Sequence, residues 1–244
     1  MSLLKKCFAE FIGTFFLVFA GTGAIVVNNL SNGKIGHLGI SLTFGSVVLI
    51  MIYACGHISG AHFNPAVTIA FGVCCKCDRI FVLPYIISQI SAAICASALL
   101  RLCFGNVYNL GATLPGISFG SNTVMIIFAT ELIFTFALMF VITSVAKDCK
   151  AQGSFAGVAI GMTVFIGAIV AGPISGGSFN PARSLGPALV SRDFEYLWIY
   201  ILAPILGAVS GGKIYYLIGN IIDKEPQKVN SSKWGVKNDS PSML

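Results

Sequence analysis

Two stretches hold the residues with chemistry to do. Ile58-Ser-Gly-Ala-His-Phe-Asn-Pro-Ala-Val67 and Ile174-Ser-Gly-Gly-Ser-Phe-Asn-Pro-Ala-Arg183 are nearly the same and stand 116 residues apart. In each, a glycine-bearing turn leads to Asn-Pro-Ala: Asn64, Pro65 and Ala66, then Asn180, Pro181 and Ala182. Asn accepts from the first free N–H groups of a helix and Pro fits its first position, so each motif predicts a loop opening into a helix. The apolar runs that follow, 65–75 and 181–190, are too short to cross a bilayer, which takes roughly 20 residues.

Three charged residues stand out beside these motifs. Arg183 directly follows the second one. A charged side chain at membrane depth costs about 2.5–3.5 kcal/mol on insertion scales, so it faces a cavity or a partner. Facing a cavity, its donor fork repels cations and grips solute oxygens; the plainer alternative is an ion pair with Asp193 or Glu195. Glu10 and Glu131 lie inside apolar runs and at matching positions, Glu10-Phe-Ile-Gly-Thr-Phe-Phe-Leu against Glu131-Leu-Ile-Phe-Thr-Phe-Ala-Leu. They can serve a proton relay or, as the matched placement favours, accept the orphan N–H groups of the short-helix loops from behind. His62 can border the mouth of a pore or bond within its own loop.

Other chemistries find no support. No nucleophile, base and orienting residue cluster and no phosphate loop is present, so the chain is not read as an enzyme, and no cofactor is expected. Of the eight cysteines, Cys74, Cys75 and Cys77 form a cluster without partner His or a second Cys pair at ligand spacing; free thiols are expected, and no metal.

The elements that must position these residues are membrane spans. The chain is 56% hydrophobic and 10% charged, with mean hydropathy +0.86, whereas a soluble domain carries about 25% charged residues. The net charge of +6 falls between apolar blocks rather than in a patch, which suits membrane orientation and not nucleic acid. Spans are predicted at 7–27, 38–55, 80–100, 123–146, 154–171 and 196–212, the last able to run on to 222. Residues 104–122 read as a long loop and 223–244 as a polar, disordered tail, leaving one domain over 1–222.

Lys5, Lys6, Lys76, Arg79, Lys147 and Lys150 and the tail lysines fall on one side of this threading, against Lys34, Arg183 and Arg192 on the other, with Arg101 and Lys213 near span ends. The bias predicts cytoplasmic termini. It also makes the halves, about 5–103 and 123–222, an inverted repeat whose two helix starts meet near the bilayer midplane. The expected fold is an all-α membrane protein of six transmembrane helices and two re-entrant half-helices. Broken backbone at that depth is tolerated where it lines an aqueous cavity. Each half-helix would present there the positive end of its dipole, about half an elementary charge. Asn64 and Asn180 are expected to turn amide N–H groups to the lumen, and Gly60, Ala61, His62, Gly176, Gly177 and Ser178 to supply carbonyl acceptors along one wall.

The paired Asn-Pro-Ala motifs with Arg183 after the second resemble the aquaporin, or major intrinsic protein, family over essentially residues 5–222. His57 to Thr68, Asn180 to Leu189 and Leu197-Trp-Ile-Tyr200 are most similar to the nodulin-like intrinsic proteins of plants and their bacterial relatives. The resemblance implies a passive multi-pass channel of the plasma membrane, assembled as a homotetramer, passing water and small neutral solutes while excluding protons and ions. It implies a constriction of Phe44, Ala168, Gly177 and Arg183. Water-selective members usually carry His where Ala168 stands, so glycerol, urea or metalloid hydroxides are expected to pass; Ser184 and Ala188 instead match water channels, which keeps a water-selective channel as the alternative. A proton-coupled transporter and a closed adhesion protein are the remoter readings.

Overall fold

The structure, a computed structural model, describes residues 1–74, 79–146 and 153–224. Residues 75–78, which include Cys75 and Cys77, residues 147–152 and the tail beyond 224 lie outside the described residues. In chain order the helices are α1 (Leu3–Leu30), α2 (Gly36–Ser59), α3 (Pro65–Cys74), α4 (Val82–Phe104), α5 (Thr123–Ala146), α6 (Ala156–Ser175), α7 (Pro181–Ser191) and α8 (Leu197–Lys224). Among the described residues six of these are long and apolar enough to cross a membrane. At about 1.5 Å per residue, the 10 residues of α3 and the 11 of α7 reach about halfway across a hydrocarbon core of about 30 Å.

The observed helices outrun the spans expected from apolarity because polar ends continue the helix into the interface. α1 takes in Lys5 and Lys6, and α2 continues past Cys55 until Gly60 turns left-handed at φ +92°. Residues 104–122 are not a plain loop, since 3-10 turns form at Tyr108–Gly111 and Gly120–Asn122.

The polarity is inside out. Large apolar side chains such as Leu38, Ile50, Ile87, Ile133 and Leu206 are exposed, while Glu10, Gln89, Glu131 and Arg183 are buried. A bilayer offers little drive for one apolar helix to meet another, so close approach through small residues decides the packing. α2 and α6 cross where Gly45 and Gly161 face each other; a Cβ on either would sit 2.7 Å from the other's carbonyl oxygen. The two halves repeat one scheme. α1 packs on α2 and α4 as α5 packs on α6 and α8, while α3 leans on α8 and α7 on α4. Three crossings per half are an odd number, so the second half enters from the opposite side and the repeat is inverted.

Candidate functional site

The site is built where the two half-helices begin. α2 ends at Gly60, whose N–H donates to Gly56 O at 2.9 Å, and α6 ends at Gly176, whose N–H donates to Gly172 O at 3.0 Å. Both glycines are left-handed. The loops beyond them keep left-handed residues at Ala61, Phe63, Gly177 and Phe179. For residues other than glycine that conformation costs about 1–2 kcal/mol each, so something must hold it.

Two buried carboxylates do so. Glu10 Oε1 accepts from His62 N at 2.9 Å and Ser59 Oγ at 2.6 Å, and its Oε2 from Phe63 N at 2.7 Å and Gln89 Nε2 at 2.8 Å. Glu131 Oε1 accepts from Ser178 N at 2.9 Å and Ser175 Oγ at 2.7 Å, and its Oε2 from Phe179 N at 2.8 Å. Both carboxylates therefore sit behind the loops with their oxygens occupied by loop donors. Tyr85 and Tyr200 complete the brace, donating to Ser59 O at 2.8 Å and Ser175 O at 2.7 Å.

The asparagines stitch the loops to the helices and to each other. Asn64 Oδ1 accepts from Ala66 N at 2.8 Å, and Asn180 Oδ1 from Ala182 N at 3.0 Å. Each Nδ2 then donates across the interface at 2.8 Å, Asn64 to Phe179 O and Asn180 to Phe63 O. The expectation that both amides simply face the lumen is corrected here: a primary amide has two N–H donors, and one of each is committed to the opposite loop.

These residues border one cavity of about 590 Å³. Asn64, Asn180, Phe44, Ala168, Gly177 and Arg183 all line it, as do Gly60, Ala61, His62 and Ser178. Gly176 does not; a Cβ there would meet Leu114 and Thr113 at 2.8–2.9 Å, so its face is turned to the chain between α4 and α5. Pro65, Ala66, Pro181 and Ala182 are buried behind the wall. His62 lies on the wall with Nδ1 at 3.2 Å from Thr68 Oγ1 and its ring against Phe71 and Tyr85, thus both at the cavity and within the loop network.

Arg183 is not paired with Asp193 or Glu195. Its Nη1 donates to Gly111 O at 2.9 Å and its guanidinium stands 5.1 Å from the Phe44 ring centroid. Asp193 instead accepts from Asn109 Nδ2 at 2.8 Å. Among the described residues, none accepts from Arg183 Nε. The carbonyl that holds Arg183 comes from a turn in which Tyr108, Asn109, Leu110 and Gly111 are all left-handed. Sequence reasoning missed this turn, along with Gln89 and the braces Tyr85 and Tyr200; the 115-residue spacing of the two tyrosines, close to that of the motifs, was the available signal.

Comparison with known proteins places this geometry. The family model described as Major intrinsic protein matches residues 1–215. The chain is 46% identical over 216 residues to Nodulin-26 of Glycine max, covering 88% of this chain and 78% of that one. It is 45% identical over 237 residues to Aquaporin NIP1-2 of Arabidopsis thaliana, covering 94% and 79%. Among solved structures it is similar to the aquaglyceroporin from Plasmodium falciparum, with TM-score 0.79, 26% identity and coverage of 91% of this chain and 99% of that one.

Proposed function

The chain belongs to the major intrinsic protein family, and from that premise we propose that its cavity is a passive pore admitting uncharged solutes of glycerol, urea or metalloid-hydroxide size as well as water. That it is an integral multi-pass channel protein for water and small solutes, and not an enzyme, follows from the family. The choice of solute rests on one observation: Phe44, Ala168, Gly177 and Arg183 border the same cavity, and two of the four bring almost no side chain. Such a ring is wide on the Ala168 and Gly177 side, apolar at Phe44, and charged at Arg183. Ser184, whose type matches water channels, is absent from the cavity wall and bonds Thr113 Oγ1 at 2.7 Å and Ser178 Oγ at 2.5 Å. Its bearing on permeation is therefore indirect, and the ring outweighs it.

Exclusion of ions and protons follows from the same parts. Two half-helix dipoles and Arg183 present positive potential to an arriving cation. The free N–H of each asparagine donates to a passing water, whose own hydrogens then point away from the centre and break the file along which a proton would hop. Glu10 and Glu131 have no role in conduction on this reading, because loop donors occupy their oxygens. The lysine and arginine bias supports cytoplasmic termini, and the resemblance supports a homotetramer in the plasma membrane.

Stopped-flow light scattering on proteoliposomes tests the proposal. Glycerol entry should be fast in the native chain and abolished by Ala168→His, with osmotic water flow retained. Fast water flow without glycerol entry would replace it with a water-selective channel.

A further inference from the structure

The second half of the repeat contains a break that the first lacks. Pro173 sits near the end of α6, where the first half has His57, 116 residues earlier. Proline has no N–H, so the carbonyl four residues back, that of Ile169, loses its helical donor. His57 keeps its N–H, and α2 has no such orphan.

The Ile169 oxygen is recovered from another helix. His37 Nε2, in the first turn of α2, lies 2.7 Å from Ile169 O. The exposed imidazole also covers Gly172, where a Cβ would sit 2.6 Å from His37 Cε1. Gly172 is in turn the neighbour of Gly177: a Cβ at Gly177 would lie 3.4 Å from Gly172 N and 3.7 Å from Ala168 Cα. Two layers of contact thus connect His37 to the wide side of the ring. The other outside holds on α6 lie beyond Pro173: Gly116 N on Ile174 O at 3.3 Å, and Tyr200 and Glu131 on Ser175 at 2.7 Å each.

We propose that His37 is a positioning residue for solute size selection: by donating to the proline-freed Ile169 carbonyl and packing on Gly172, it fixes the wall that carries Ala168 and Gly177. The inference rests on the reading of these two residues as part of the constriction. Without the donor, the Ile169–Pro173 turn of α6 loses its hold while Ser175 beyond it stays fixed by Tyr200 and Glu131, so the wall at that turn fluctuates and the pore's size cut-off blurs.

The test measures entry of glycerol and of erythritol, one carbon longer, in proteoliposomes, with water flow measured in parallel. His37→Phe keeps a ring and loses the donor; His37→Gln places an amide N–H where Nε2 stands. The glycerol-to-erythritol ratio should fall about threefold in His37→Phe, the order one lost hydrogen bond is worth, and stay native in His37→Gln. Gly172→Ala, which displaces the imidazole from the other side, should reproduce the fall if His37→Phe gives too little folded protein. Fluxes that all decline together at a constant ratio, or a Gln variant that behaves like Phe, would overturn the proposal. Ala168→His separates the two levels. Discrimination that responds to it but to neither His37→Phe nor Gly172→Ala removes this proposal alone, whereas discrimination indifferent to it removes the ring and the proposal together.

Discussion

The two re-entrant loops share a frame and differ in what they show the cavity. Ser59, Phe63, Asn64 and Pro65 are matched by Ser175, Phe179, Asn180 and Pro181, each pair 116 residues apart, and both loops are clamped by a glutamate from the first helix of their half. The differences lie at Ala61 against Gly177, His62 against Ser178, Val67 against Arg183 and Thr68 against Ser184. Where the halves agree, the residues satisfy backbone donors and hold left-handed turns. Where they differ, the second half has gained a charge and lost a methyl group. Architecture is symmetric here, and on the proposed reading the filter is made by departing from that symmetry.

If the frame is symmetric, breaking either clamp should do equal and severe damage. Glu10→Ala removes the acceptor of four hydrogen bonds and Glu131→Ala that of three, with Gln89 Nε2 keeping Thr68 Oγ1 and Ser175 Oγ keeping Ala171 O. Each buried donor left without a partner costs about 1–3 kcal/mol, against a total stability of about 5–15 kcal/mol. Both variants should give almost no folded protein by size exclusion in mild detergent. Normal recovery of one beside loss of the other would show that the halves do not bear equal strain.

The filter should respond in the opposite manner, with folding spared and selectivity altered. Arg183→Val gives the second half the residue of the first. Losing even about 1.4 kcal/mol of charge repulsion is tenfold in rate, so proton or methylammonium leak in proteoliposomes carrying a pH dye should rise about tenfold or more. A leak no greater than native would assign charge exclusion to the helix dipoles and asparagines alone. Gly177→Ala likewise matches Ala61. Gly177 has φ +57°, and Ala61 already adopts +50°, so the added strain is about 1–2 kcal/mol and the protein should fold. The methyl group narrows the wide side of the ring, so glycerol entry should slow severalfold and water flow much less. Equal slowing of both would place the size filter elsewhere.

The paired motifs made the frame legible in advance. Asn-Pro spacing, short apolar runs and the matched glutamates were enough for the inverted repeat, and the expectation that each carboxylate would take backbone N–H groups depended only on those groups having no other partner. What stayed hidden was set by contacts distant in sequence. Nothing local to Asn64 says that one amide N–H is taken by Phe179 O, 115 residues on. Arg183 looked able to reach Asp193, ten residues away, yet Asn109 from the left-handed turn occupies that carboxylate and Gly111 O receives the guanidinium. Four consecutive left-handed residues, three of them not glycine, run against local propensity. Tertiary hydrogen bonds at both ends of the turn are what overrule it.

The smallest effect is expected at Ser184, and it bears on which differences between the halves matter. Residue type alone ranks Ser184 beside Arg183, since both depart from the first loop. Their placement separates them: Arg183 borders the cavity, whereas the Ser184 hydroxyl is buried between Thr113 and Ser178. Ser184→Ala removes those bonds and should cost about 1 kcal/mol, read as a lower unfolding temperature in detergent. The glycerol-to-water ratio should be unchanged, because the ring does not include this side chain. A ratio that shifts with Ser184→Ala as much as with Gly177→Ala would mean that the network around Ser178 sets the shape of the wall. The filter would then extend one layer behind the residues that solutes touch.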